Sequence, residues 1–236
     1  MSKIIVTGAT GFVGEAVVKQ CIQNKNVEEV IVLTRKPISK DLLSSSKVNM
    51  IVHEEFAQYP DSLLNQLSGA QGCIWTIGED VEHANDPEAA KKVGIGYTLI
   101  AAEAFRERLA PSVPKPPFRF VYCSVRGAVR DQNAKLWVQG ESRKIKGAAE
   151  TGLFDIEAAS SGTFKAFALR PGSILSEQSG LMGAGASSFL PAVRVDVLAK
   201  AFVKVCLKGA DTDVLENADI NDIGDLESKL LINSFA

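Results

Sequence analysis

Gly8, Gly11 and Gly14 stand in the spacing G-x-x-G-x-x-G, directly after the apolar run Ile4-Ile5-Val6 and directly before a helix-like stretch. In that stretch Val13, Val17, Val18, Cys21 and Ile22 share one face, and Glu15, Lys19 and Gln20 lie elsewhere. Strand, tight glycine turn and helix are the parts a dinucleotide pyrophosphate needs. The turn lets the backbone come close, and the helix N-terminus offers free N–H groups and a partial positive charge to the phosphates. The candidate contacts are Gly8, Thr10, Gly11, Phe12, Val13 and Gly14. About twenty positions further on, NAD-preferring folds place a carboxylate for the adenosine ribose. This chain places Arg35 and Lys36 there, with no carboxylate beside them. A 2′-phosphate would meet cations and a bare ribose would meet none, so NADP(H) is favoured over NAD(H).

Other candidates are set by strand ends. Glu55 and Phe56 follow the strand-like run 48–52 and could flank an adenine. Thr76, Ile77 and Gly78 close the run Cys73-Ile74-Trp75, bringing backbone under a ribose and pyrophosphate. Ser124 ends Phe118-Arg119-Phe120-Val121-Tyr122-Cys123, and in an open parallel sheet ligands bind at such ends.

The elements that must position these residues alternate along the chain. Strands are expected at 4–7, 30–33, 48–52, 73–77, 118–124, 165–169 and 193–195, the last followed by Asp196 as a helix N-cap. Helices are expected after the glycine turn, at 62–67, at 88–109 with Val93, Tyr97, Ile100, Ala101, Ala104 and Phe105 inward, at 136–151 and at 197–208. The four prolines of 111–117 interrupt regular structure. The Gly-, Ser- and Ala-rich stretch 176–191 reads as a substrate-side flap, and the tail after Asp211 gives no signal. With no compositional break or internal repeat, residues 1–236 read as one α/β domain, a single doubly wound parallel sheet with helices on both faces.

Composition narrows the function classes. Hydrophobic residues make 46% of the chain and charged residues 23%, as in ordinary globular proteins, and the net charge of −2 gives no case for nucleic acid or anionic membrane. No apolar run approaches the eighteen or so residues needed to span a bilayer. Cys21, Cys73, Cys123 and Cys206 are widely spaced, with no C-x-x-C pair, and only His53 and His83 could add imidazole ligands. A metal site is not expected, and reduced buried thiols in a cytoplasmic protein are.

Thr7-Gly8-Ala9-Thr10-Gly11-Phe12-Val13-Gly14 resembles the T-G-A-T-G-x-x-G turn of extended and atypical short-chain dehydrogenase/reductase proteins. Ser124 matches that family's serine at the end of strand five. Lys146, Gly147 and Glu150 resemble its Y-x-x-x-K-G-x-x-E helix, and Arg170-Pro171-Gly172 its R-P-G segment. The compact members, the Tat-interacting oxidoreductase-like and NmrA-like proteins, are the most similar. The resemblance covers nearly the whole chain, although only the glycine turn is individually specific. It implies that Lys146 holds the nicotinamide ribose, that Pro171, Gly172 and Ile174 lie along the nicotinamide, and that a small-molecule carbonyl or alcohol is the substrate.

That family's chemistry uses a Ser–Tyr–Lys set, in which tyrosine gives a proton to the carbonyl as hydride arrives. Four residues before Lys146 stands Ser142. None of Tyr59, Tyr97 and Tyr122 has lysine four residues on. A phenol ionises near pH 10 and an aliphatic hydroxyl far higher, nearer to water itself, a gap of roughly six units at about 1.36 kcal/mol each. Ser142 is therefore a poor direct replacement. Three readings follow. The first is an NADP(H) oxidoreductase using Ser124, Ser142 and Lys146, its acid a held water, a group in 126–131, or His83. The second is a non-redox isomerase or cyclase. The third is an NmrA-like NADP(H) sensor with a protein partner. Retention of Ser124, Lys146 and Arg170-Pro171-Gly172 favours the first. Faces of helices 88–109 and 136–151 are where two copies could pair as a homodimer.

Overall fold

The computed structural model describes residues 2–78, 86–114, 117–178 and 191–233. Seven strands form one sheet in the order β3-β2-β1-β4-β5-β6-β9, with every described pairing parallel. They are β1 (Ser2–Thr7), β2 (Val27–Thr34), β3 (Val48–Val52), β4 (Gly72–Trp75), β5 (Phe118–Cys123), β6 (Phe164–Arg170) and β9 (Val214–Glu216). The chain winds outward from β1 in one direction and from β4 in the other, so the reversal point lies between those strands. Their carboxyl ends open a crevice there.

The strands read as unbroken apolar runs because both sheet faces are covered. Ile4, Val6, Val30, Val32, Ile74 and Val121 point to one core, packed by α1 (Phe12–Gln23) and α7 (Val195–Lys208). Ile5, Ile31, Leu33, Cys73, Trp75, Phe120 and Tyr122 point to the other. That second core is closed by α3 (Asp61–Gln66), α5 (Thr98–Arg108) and α6 (Gly140–Ala158). The remaining elements are α2 (Lys40–Leu43), α4 (Pro87–Lys91), α8 (Asn217–Asn233), β7 (Ser173–Leu175) and β8 (Ala192–Arg194). Strands β7 and β8 pair as a separate parallel ribbon beside the main sheet.

Several expectations need correction. The helix foreseen over 88–109 is broken by a π-helical segment, Lys92–Tyr97, between α4 and α5. The wider turn shifts the helical phase locally: Ile100 faces solvent at 40% exposure, while Ala101 and Phe105 are buried as expected. Close packing accompanies the segment: a Cβ at Gly94 would lie 2.5 Å from Ile145 of α6. Helix α6 begins later and runs further than 136–151, because Gln139 before it adopts a left-handed backbone with φ 50°. Helix α7 starts at Val195 with Arg194 as its N-cap residue, and the carboxylate of Asp196 instead pairs with the Arg194 guanidinium at 2.6 Å. The proline-rich stretch holds a short 3-10 turn, Ala110–Ser112. The tail after Asp211 carries the seventh strand and α8. Of the expected flap, residues 179–190 lie outside the described residues, as does His83.

Cys21, Cys73 and Cys206 are fully buried and Cys123 is half-buried. Burial pushes the thiols up, that of Cys206 to about 12. Among the described residues no helix is long and apolar enough to cross a membrane, and no His/Cys/Asp/Glu group could hold a metal ion.

Candidate functional site

At the reversal point β1 ends in Thr7 and the chain turns through Gly8, where φ is +70°. The Gly11 N–H donates to the Gly8 carbonyl at 2.9 Å, and α1 begins at Phe12 with no side chain capping it. The first N–H groups of α1 therefore have no internal partner and face the turn. Crowding makes the glycines obligatory. A Cβ at Gly14 would sit 2.1 Å from the Gly8 carbonyl oxygen, and one at Gly8 would sit 2.5 Å from Thr76 Oγ1. Thr76 Oγ1 in turn donates to the Thr7 carbonyl at 2.7 Å, tying the end of β4 to the end of β1.

A cleft of ≈ 250 Å³ opens over this crossing. Its walls are Gly8, Thr10 and Gly11 of the turn, Leu33 to Lys36 after β2, Phe56, and Thr76, Ile77 and Gly78 after β4. The Thr34 hydroxyl donates to the Lys36 carbonyl at 2.8 Å, a local turn that projects Arg35 and Lys36 outward. Both side chains are exposed, and neither forms an ion pair among the described residues. No carboxylate lines the cleft. The fit to a dinucleotide thus rests on a backbone cradle that any Cβ would fill and on two unneutralised cations at its rim.

The other residues singled out from the sequence are placed as follows. Phe56 is buried in the second core, edge-on to Trp75, while also forming cleft wall. Glu55 is not part of that wall: its carboxylate accepts the Ala57 N–H at 2.9 Å. Phe12 is 54% exposed and borders a different groove with Glu15, Lys19 and residues 176–178. Val13 and Ile174 pack against the first core.

Lys146, on α6, reaches the sheet between the ends of β4 and β5. Its Nζ donates to the Cys123 carbonyl at 2.8 Å and lies 4.8 Å over the Tyr122 ring. It is also 3.3 Å from where a Cβ on Gly78 would be. Loss of hydration lowers its pKa below the ordinary 10.5, against the opposing pull of Cys123 and Glu150. Ser142 stands one helical turn earlier, half-buried. No described tyrosine takes that place. Tyr122 is buried beneath Lys146, Tyr59 is held in the second core, and Tyr97 belongs to the π segment. Burial raises the pKa of both Tyr122 and Tyr59.

Ser124 is engaged elsewhere than expected for a group that polarises substrate. Its buried hydroxyl donates to Glu150 Oε1 at 2.6 Å. Glu150 is wholly buried and also accepts from Arg170 Nε at 2.8 Å, Arg170 Nη2 at 2.5 Å and Arg130 Nε at 3.3 Å. Arg170 continues to Glu216 at 3.0 Å. One polar chain therefore binds β5, α6, β6 and β9. The guanidinium of Arg170 is raised in pKa, first by its hydrogen bond to Glu150.

A second cleft, ≈ 500 Å³, opens past the ends of β5 and β6, with Pro171 and Gly172 in its wall. The Gly172 N–H donates to Asn217 Oδ1 at 2.8 Å, and Asn217 Nδ2 donates to the Ala192 carbonyl. Asn217 therefore clamps the Arg170-Pro171-Gly172 loop to β8. Sequence reading missed Asn217, although the strand-like Val214-Leu215-Glu216 before it was a usable signal. It also missed Arg143, which carries no local pattern, and reached Arg126 only as one member of the stretch 126–131; both line the second cleft.

Comparison with known proteins bears on this geometry. The model of the NAD dependent epimerase/dehydratase family matches residues 4–127. Leucinostatins biosynthesis cluster protein T of Purpureocillium lilacinum is 33% identical over 121 residues, which are 51% of this chain and 42% of that protein. The matched stretch is thus less than half the length of that curated relative. Among solved structures, Gre2 in complex with NADPH from Candida albicans has a TM-score of 0.70 at 19% identity, covering 92% of this chain and 78% of that one. Vestitone reductase from alfalfa (Medicago sativa L.) has 0.66 at 16%, covering 92% and 76%. UDP-glucose 4-epimerase with UDP-glucose from Thermotoga maritima has 0.65 at 16%, covering 96% and 82%. These three likenesses are of fold.

Proposed function

The chain belongs to the NAD-dependent epimerase/dehydratase family, and we propose that it is an NADP(H)-preferring oxidoreductase acting on a carbonyl or alcohol of small to medium size. The glycine turn and the start of α1 take the pyrophosphate, Arg35 and Lys36 take the 2′-phosphate, and Thr76 to Gly78 with Lys146 take the nicotinamide end. Bound there, the nicotinamide supplies or accepts hydride.

The observation that carries the reading is the position of Lys146. A desolvated amine with a pKa lowered from the ordinary 10.5, placed between Gly78 and Cys123, gives up its proton more readily than a free lysine and can serve in proton transfer. It donates toward the substrate oxygen during reduction, through a water that Ser142 can help to position. Ser124 acts as a positioning residue: its bond to Glu150 fixes the end of β5, and with it the carbonyl that holds Lys146. Incubation with NADPH and a panel of aldehydes and ketones should consume nicotinamide absorbance. Saturable NADPH binding with no turnover on any carbonyl would sink the oxidoreductase reading. A rearranged product without net NADPH change would select isomerase chemistry instead.

One observation favours a second reading, an NADP(H)-responsive regulatory protein. The Ser124 hydroxyl is committed to Glu150, and the position one helical turn before Lys146 holds Ser142 while the neighbouring Tyr122 is buried beneath the lysine, so the usual proton-donor set is incomplete. A protein partner whose affinity changes with nicotinamide redox state would support it.

Lys146→Met is expected to reduce kcat by about 100-fold or more if the amine moves the proton, with NADPH affinity falling far less. Its effect on stability has a definite sign. Between the lowered folded pKa and the ordinary 10.5, the unfolded chain holds a proton on Lys146 that the folded chain lacks. Stability from this group therefore rises with pH across that window. Below it, burial of the cation is a fixed penalty. The difference in unfolding free energy between wild type and Lys146→Met should accordingly shift in favour of wild type as pH rises toward 10.5. Parallel curves would contradict the lowered pKa.

A further inference from the structure

The second cleft has a chemistry of its own. It is lined by Val125, Arg126, Gly127, Val138, Gln139, Arg143, Pro171, Gly172 and Ser173, with no carboxylate in its walls. Arg143 is held in place from behind. Its Nε donates to the Gly127 carbonyl at 2.6 Å and its Nη1 to the Val138 carbonyl at 3.4 Å. Gly127 has φ +71°, and a Cβ there would be 3.2 Å from both Nε and Nη2 of Arg143, so the guanidinium lies flat on a residue that must lack a side chain. These bonds leave Nη2 unengaged, and Arg143 forms no ion pair among the described residues. Arg126 is exposed. Its backbone N–H donates to the Pro171 carbonyl, and its guanidinium likewise forms no ion pair among the described residues. The start of the 19-residue α6 lies at the same rim and adds partial positive charge.

The remaining wall mixes apolar Val125, Val138 and Pro171 with polar Gln139 and Ser173. Trp137, next to Val138 in sequence, is 99% exposed, and Val138 itself is at 69%. Neighbouring exposed apolar side chains at the mouth of a cleft mark a binding surface more than a stable resting arrangement. Gln139 holds the left-handed backbone noted above, a conformation that non-glycine residues adopt at some cost and that recurs at ligand clamps.

From this we infer that the second cleft binds a substrate bearing a carboxylate on an apolar body. Arg126 and Arg143 take the carboxylate, while Val138 and Trp137 cover the chain or ring attached to it. Arginine's planar fork matches a carboxylate with two parallel hydrogen bonds. A single negative charge suits the site better than a phosphate dianion, because Glu141 in the first turn of α6 offsets part of the local positive charge. The inference rests on the oxidoreductase reading only for the fate of the bound molecule. The recognition itself belongs to these residues and can be measured without the cofactor.

Trp137 supplies the readout, since the other tryptophan, Trp75, is fully buried. The 236-residue chain, without cofactor, is titrated with 2-oxooctanoate, its methyl ester and octyl phosphate while tryptophan emission is followed. The acid should give a saturable change, lost in Trp137→Phe, at a concentration lower by about tenfold or more than the ester. Arg126→Gln, an exposed substitution outside the cofactor cleft, should weaken acid binding by a similar factor without altering the melting temperature or ester binding. Equal affinity for acid and ester, or acid binding untouched by Arg126→Gln, would overturn the inference. Tighter binding of octyl phosphate would overturn the carboxylate assignment and make the site one for phosphates. NADPH titration in parallel separates the two proposals: NADPH binding without acid binding rejects this inference alone, and acid binding without NADPH binding rejects the cofactor reading alone.

Discussion

Arg35→Asp should lower NADPH affinity by about 10- to 100-fold while changing NADH affinity only a few-fold, as read by calorimetric titration. Hydrogen bonds to charged groups are worth about 1.5–3 kcal/mol, and about 1.4 kcal/mol is tenfold in affinity. The new carboxylate would also repel a 2′-phosphate while offering the ribose of NADH an acceptor, so the two cofactors should move apart. Because Arg35 is exposed and forms no ion pair among the described residues, the melting temperature should hold. Lys36→Gln should act in the same direction and more weakly. An unchanged NADPH/NADH ratio after Arg35→Asp would remove Arg35 from any role in cofactor choice.

Glu150→Leu should produce the largest stability loss. Glu150 is wholly buried and serves two arginines and the Ser124 hydroxyl at once. Removing one partner of a fully buried ion pair costs about 3–5 kcal/mol. Here Arg130 is 46% exposed and Arg170 keeps Glu216, so the loss should fall toward or below the lower end of that range. In a chain of this length each kcal/mol lowers the melting temperature by about 2–4 °C. Arg170 cannot relieve the strain by losing its proton, since an arginine stays charged. Glu150→Gln keeps the volume and some hydrogen bonds and should fall between wild type and leucine in a thermal scan. A Glu150→Leu protein melting within about 2 °C of wild type would show that the network carries little of the fold.

The sequence made the glycine-turn half of the molecule far more legible than the half around the second cleft, for a physical reason. The glycine turn is local: backbone crowding among Gly8, Gly14 and Thr76 dictates residue types within a few positions, and a short motif records it. Strands β1 to β6 were readable for a similar reason, since a sheet buried on both faces demands continuous apolar runs. The second cleft assembles single residues from the segments after β5, before α6 and after β6, with no spacing for a motif to carry. Ser124 shows the limit most clearly. Its position at a strand end was readable, but its hydrogen bond goes to Glu150, 26 residues away, and only the packing of α6 on the sheet reveals that. Ile100 shows another limit. A helical period extrapolated through Gly94 and Gly96 ignores the π segment, and Ile100 beyond it is exposed although Ala101 and Phe105 are buried as expected.

The buried cysteines make local opening visible one element at a time. Alkylating reagents attack the thiolate, and burial keeps Cys21, Cys73 and Cys206 protonated and out of reach. Each therefore reacts only when the element carrying it opens: α1 for Cys21, β4 for Cys73 and α7 for Cys206. With fast reclosing, labelling rates rank the opening free energies of those three elements within one native population. A ligand lodged over the glycine turn bridges α1 and β4, and would slow Cys21 and Cys73 together while leaving α7 less affected.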